Sequence, residues 1–126
     1  ALKNGESTTE FNIKIEAVPA YNMTEGHTQF HPKRRDNGYI LTFGGTRVYI
    51  SGDTEDIPEL KNLKNITIAF LPVNQPYTMT VPQAAKAAKM FMPKILYPYH
   101  FGETKIEALN TALNGSGIDV RIRNLQ

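Results

Sequence analysis

The stretch VYISGDTEDIP, residues 48–58, begins as a strand and stops at a carboxylate. Val48 and Ile50 alternate with Tyr49, the period of a half-buried strand. Ser51 and Gly52 then break the alternation, and Asp53 follows. Aspartate after glycine is common in turns, because it tolerates the local backbone and bonds to nearby N–H groups. A strand that ends this way also aims a carboxylate past its own end, and what stands at the other strand ends bears on the choice.

Working outward, YILTF (39–43) and RVYIS (47–51) flank Gly44-Gly45-Thr46 and read as a β-hairpin. FNIKIEAV (11–18) alternates, with Phe11, Ile13, Ile15 and Ala17 on one face, and predicts a strand. Residues 1–10 are polar and read as a tail or linker before a single domain over 11–126. Residues 19–37, with Pro19, Gly26, Pro32 and Asn37, form a long irregular connection of the kind that is functional or disordered. DIPELKNL predicts a short helix, and ITIAFLPV a buried strand, since its run is apolar throughout. TVPQAAKAAKMFM predicts a helix over 82–92, with a Thr80/Gln83 capping box, Pro82 in the first turn and Pro93 at the end. KILYPY is a further apolar strand. TKIEALNTALNG predicts a second helix, with a Thr104/Glu107 capping box and Gly115 past its end. IDVRIR closes the chain as an alternating strand.

Four of these strands end on a residue able to bind metal or donate a hydrogen bond: Asn22, Asp53, Asn74 and His100. In sheets with helical crossovers, ligands collect outside the carboxyl ends of the strands. A carboxylate and an imidazole suit zinc, iron or manganese. Each residue also has an ordinary turn or packing role, and spacing alone leaves both readings open.

Bulk properties narrow the class. A chain of 126 residues fits one domain, and a net charge of +2 gives no argument for nucleic acid. There is no cysteine, which excludes disulfides and thiolate metal sites and leaves cytoplasm and periplasm open. No segment has the length of apolar chain that a membrane span requires.

VPAYN, FHPKRRDNGYILTFGGTRVYISGDTEDIPEL, AFLPVNQPYTM and LYPYHFGET, in this order, resemble the second half of a metallo-β-lactamase-fold hydrolase. The resemblance runs from about residue 11 to residue 104 and is nearest the branch similar to sugar-lactone and N-acyl-phospholipid hydrolases. It implies an α/β (α+β) chain, half of an αββα sandwich, with a mixed sheet, helices on one face and one or two divalent metal ions at an edge. Asp53 matches the metal-ligating aspartate and His100 the last histidine ligand. Asn22 stands where many relatives have a histidine ligand, so His31 becomes the substitute ligand and Asn22 a substrate contact. His27 is assigned to the exposed loop.

The family's H-x-H-x-D-H signature is absent, so the resemblance implies a fragment whose N-terminal half lies elsewhere. Asn74, Tyr77, Lys33 and Arg34 are expected at the substrate, with the two basic residues selecting an anionic small molecule. The expected reaction is attack of metal-activated hydroxide on an ester, lactone, amide or phosphodiester, with zinc first and manganese or iron as alternatives. The isolated half is expected to be inactive, to come from a bacterial or archaeal cell, and to need a partner. That partner is the missing N-terminal half or a second copy of the chain. The other reading is a non-catalytic binding or structural module with a degenerate site.

Overall fold

The computed structural model describes residues 1–126. The strands are β1 (Ser7–Glu10), β2 (Ile13–Ala20), β3 (Asp36–Phe43), β4 (Thr46–Ile50), β5 (Ile68–Pro72), β6 (Ile95–Tyr99) and β7 (Asp119–Val120). The helices are α1 (Val81–Phe91) and α2 (Ala108–Ala112), with a 3-10 turn at Pro58–Asn62. The strands form one sheet in sequence order. β1 to β4 pair antiparallel, and β4 to β7 pair parallel. The parallel half requires crossovers, which the 3-10 turn, α1 and α2 supply in succession. No helix is long and apolar enough to cross a membrane.

Local chemistry accounts for most of these elements. The Thr80 hydroxyl accepts the Gln83 N–H at 3.2 Å, and the Gln83 side chain accepts the Thr80 N–H at 2.8 Å, the reciprocal box that starts α1. The expected box at Thr104 and Glu107 is absent: the Thr104 hydroxyl donates to the Val73 carbonyl at 2.9 Å, and α2 shrinks to Ala108–Ala112. A distant carbonyl has outcompeted the local cap. Residues 1–10 are not a tail. β1 pairs with β2, and the Asn4 amide donates to the carbonyls of Val18 and Asp36 and to the Asn37 side chain. Phe11, expected on the buried face of β2, instead sits in the tight β1–β2 turn. It and Asn12 adopt φ of 51° and 64°, and Phe11 is 96% exposed.

The register divides the sheet into two unlike faces. Ile40, Tyr49, Ala69 and Leu96 lie side by side across β3 to β6, and all are buried. They pack with Ala84, Ala88 and Phe91 of α1 and Leu109 of α2, the Tyr49 and Phe91 rings meeting edge to face at 5.5 Å. The opposite face carries Ile15, Leu41, Val48, Ile68 and Ile95 in one row and Tyr39, Ile50, Phe70 and Tyr97 in the next. None of these nine is buried; of the chain's own residues, Arg123 lies over the Tyr97 ring and Leu125 lines a cavity with Ile50 and Phe70, and no helix covers this face. The helices therefore lie on one face of a mixed sheet, as the family resemblance implies.

Two glycines fix where the end of β4 goes. A Cβ on Gly38 would lie 2.5 Å from the Ser51 carbonyl oxygen. A Cβ on Gly52, whose φ is +66°, would lie 2.6 Å from the Asn37 carbonyl oxygen. Backbone meets backbone there without room for a side chain. Gly38→Ala is expected to lower stability by about 2 kcal/mol or more, and Gly45→Ala, in open space at a turn, to change it by less than about 0.5 kcal/mol. Urea unfolding of both variants checks the contrast.

Candidate functional site

Asp53 leaves the end of β4 and His100 the end of β6, on either side of β5. His100 Nδ1 lies 2.9 Å from Asp53 Oδ1. His31 Nε2 approaches the other oxygen, Asp53 Oδ2, at 3.6 Å. The ion-pair partners of Asp53 are thus both imidazoles. The Asp53 and His100 side chains are 31% and 45% exposed, so the pair is open to a ligand. His100 adopts φ of 49°, and its N–H is held by the Leu125 carbonyl at 2.7 Å. Left-handed backbone at a non-glycine residue is costly and persists where surrounding contacts hold it.

His31 is oriented from behind. Its Nδ1 lies 3.3 Å from Asp36 Oδ2, so the ring spans two carboxylates. Arg35 donates to both Asp36 oxygens at 2.7–3.1 Å. Those bonds hold the Asp36 carboxyl below the usual range against the opposing effect of burial, with His31 adding to them. A carboxylate behind a histidine whose other nitrogen faces a candidate ligand is the arrangement that fixes ring orientation in metal sites.

The turn after Asp53 anchors the chain leaving β2. Thr54 Oγ1 accepts the Tyr21 N–H at 3.1 Å, and the Glu55 N–H donates to the Tyr21 carbonyl at 3.0 Å. Glu55 is buried, and its Oε2 accepts the N–H groups of Met23 and Thr24 and the Thr24 hydroxyl at 2.8–3.0 Å. The Tyr21 phenol bonds both Glu59 oxygens, and burial together with that carboxylate pushes its pKa up to about 12.

The structure therefore brings Asp53, His100 and His31 together and gives the other candidates different neighbours. Asn22 is buried, and its amide donates to the carbonyls of Tyr77 at 2.7 Å and His27 at 3.2 Å. It ties two loops together. Asn74 caps its own turn, its N–H donating to the Thr78 hydroxyl at 2.9 Å, with its side chain against Gly102. Tyr77 is exposed and meets Phe30 edge to face at 5.0 Å. Lys33 lies 3.9 Å from Glu59 and over the Tyr21 ring, and Arg34 lines the same groove with Lys3 and Asn4. Neither basic residue pairs with the Asp53 cluster. His27 is not a free loop side chain: its Nδ1 is buried beside Glu55.

Asp36, Thr54 and Glu55 escaped the sequence reading. Thr54 and Glu55 sit in the acidic run GDTED, which looks like a solvated turn until the loop from 21 to 24 is seen to fold onto it.

The pattern of the Beta-lactamase superfamily domain family matches residues 1–100. A UPF0173 metal-dependent hydrolase of Archaeoglobus fulgidus is 31% identical over 93 residues, 68% of this chain and 40% of the relative. One from Symbiobacterium thermophilum is 32% identical over 92 residues, 68% of this chain and 39% of the relative. The chain thus spans about two fifths of the length of the curated relatives it matches. A crystal structure from Parabacteroides distasonis, of a protein named as a metal-dependent hydrolase, superposes with a TM-score of 0.98 at 72% identity. It is matched over 100% of this chain and 58% of its own. The metallo-β-lactamase-fold protein YhfI of Bacillus subtilis shares the fold at a TM-score of 0.74 and 13% identity, over 98% of this chain and 52% of its own.

Thr54→Val leaves the buried Tyr21 N–H without an acceptor. It is expected to cost about 1–3 kcal/mol in denaturant unfolding.

Proposed function

The chain belongs to the Beta-lactamase superfamily domain family, and we propose that it carries one side of the metal-holding edge of a metal-dependent hydrolase. The observation behind this reading is the contact of Asp53 with His100 at 2.9 Å, with His31 at 3.6 Å from the second oxygen. A carboxylate and imidazoles are donors that zinc accepts, and manganese or iron are the alternatives. Their kinds fit a divalent metal; their number does not complete a site. No group of three or more His, Asp or Glu side chains in the chain is arranged to hold an ion. The remaining ligands come, in this proposal, from the N-terminal half of the same domain.

In that assembly Asp53 and His100 would hold the metal, and His31, kept in place by Asp36, would add a ligand or face the substrate. A divalent metal held there would supply hydroxide at neutral pH. Both Asp53 oxygens face imidazoles at the strand end. The substrate class is a small ester, lactone, amide or phosphodiester. Tyr77 offers an exposed phenol for its recognition. The second reading, a binding module without catalysis, is favoured by Asn22, whose amide is committed to two backbone carbonyls.

Elemental analysis of the intact domain after dialysis tests this. The proposal expects near-stoichiometric zinc, manganese or iron. It also expects at least about a tenfold loss of metal affinity in Asp53→Ala and His100→Ala, with ester or phosphodiester hydrolysis lost in both. Tight stoichiometric metal in these 126 residues alone would overturn the shared site, and a metal-free intact domain would favour the binding module.

The same proposal assigns the apolar sheet face to the N-terminal half. The two rows from Ile15 to Ile95 and from Tyr39 to Tyr97 form a continuous apolar surface of the kind that soluble monomers do not leave open. In light scattering, the chain alone is expected to self-associate or to bind a hydrophobic dye, and to lose both properties on adding the other half. A dye-silent monomer would defeat this assignment.

A further inference from the structure

We propose that Glu55 and His27 form a buried clasp, bridged by one water molecule, that sets the position of His31 at Asp53. The part of this concerning His31 rests on the site reading above; the clasp itself does not.

Glu55 Oε1 and His27 Nδ1 are both buried and both lack a hydrogen-bond partner. They face each other at 3.9 Å. That gap exceeds the 2.7–3.2 Å of an N–H···O bond, and a water set to one side of the line between the two atoms would reach both. Buried polar atoms are rarely left unpaired, and one water satisfies two of them at once where the site has room to hold it. Glu55 is otherwise fully engaged, since its Oε2 already accepts three donors from Met23 and Thr24.

The grip passes to His31 through short steps. The Thr24 carbonyl accepts the His27 N–H at 2.9 Å, and the His27 carbonyl accepts the Phe30 N–H at 3.2 Å and the Asn22 amide at 3.2 Å. The Asn22 N–H then holds the His31 carbonyl at 2.9 Å. Glu55 stands two residues beyond Asp53 on the same turn, so one carboxylate ties the loop carrying His31 to the turn carrying Asp53. Glu55 and His27 are positioning residues, because neither touches the Asp53–His100 pair.

The test uses the intact domain and three variants. A crystal structure that orders waters should place one within hydrogen-bond distance of both atoms; a direct Glu55–His27 bond, or a dry gap, overturns the bridge. Glu55→Ala should weaken zinc binding by about tenfold or more, and His27→Ala should do so by a smaller factor. Exchange of the Met23 and Thr24 amides should speed up in Glu55→Ala. Glu55→Gln should restore zinc affinity to within about threefold, because its carbonyl can take the Met23 and Thr24 donors while its amide faces His27. If Glu55→Ala does not fold, Glu55→Gln and His27→Ala decide. Unchanged zinc affinity in His27→Ala, or a Glu55→Gln as weak as Glu55→Ala, overturns the positioning role. An intact domain that takes up no zinc defeats the site reading, while the water and the amide exchange still judge the clasp.

Discussion

The backbone contact between the start of β3 and the end of β4 is the constraint on which the candidate site depends. Gly38 lies against the Ser51 carbonyl and Gly52 against the Asn37 carbonyl, with no space for a Cβ in either place. This closeness bends the chain sharply after Ile50 and turns Asp53 toward the end of β6, where His100 waits. It also brings the turn 53–57 under the chain leaving β2, so Thr54 and Glu55 can take the Tyr21, Met23 and Thr24 N–H groups. Those bonds shape the start of the long loop that carries His31. A single side chain at position 38 or 52 would loosen all of these contacts together.

The second governing feature is the asymmetry of the sheet. Ile40, Tyr49, Ala69 and Leu96 are sealed by α1 and α2, whereas Val48, Ile68, Phe70 and Tyr97 stand half-exposed on the other side. Strands that read as unbroken apolar runs are built to be covered on both faces. The stacking of Phe70 on Tyr97 at 5.2 Å buries part of each ring without closing the surface. In the proposed assembly, the N-terminal half would supply both the missing cover and the missing metal donors.

How much could be read from the sequence depended on how local the signal was. The Thr80/Gln83 box, the Gly44-Gly45 turn and the strand ends at Asp53 and His100 depend on neighbours a few residues away, and they stand where the sequence puts them. Thr104 carries the same box signature, but the Val73 carbonyl, far away in sequence, claims its hydroxyl. Polarity made residues 1–10 look like a tail because β1 is an edge strand with little to bury. Glu55 and His27 were hidden for the opposite reason. Charged and polar residues in a loop read as solvated, and only the fold reveals that this loop closes over them. Asp36 was invisible because its role depends on a ring brought to it by the turn around Pro32.

The candidate site stands or falls on whether Asp53 and His100 share a metal ion. Anomalous diffraction from crystals of the intact domain, recorded across the zinc, iron and manganese edges, tests it most directly. A shared ion gives a peak about 2 Å from an Asp53 oxygen and about 2 Å from a His100 nitrogen. A peak elsewhere, with the 2.9 Å Asp53–His100 hydrogen bond intact, would contradict it.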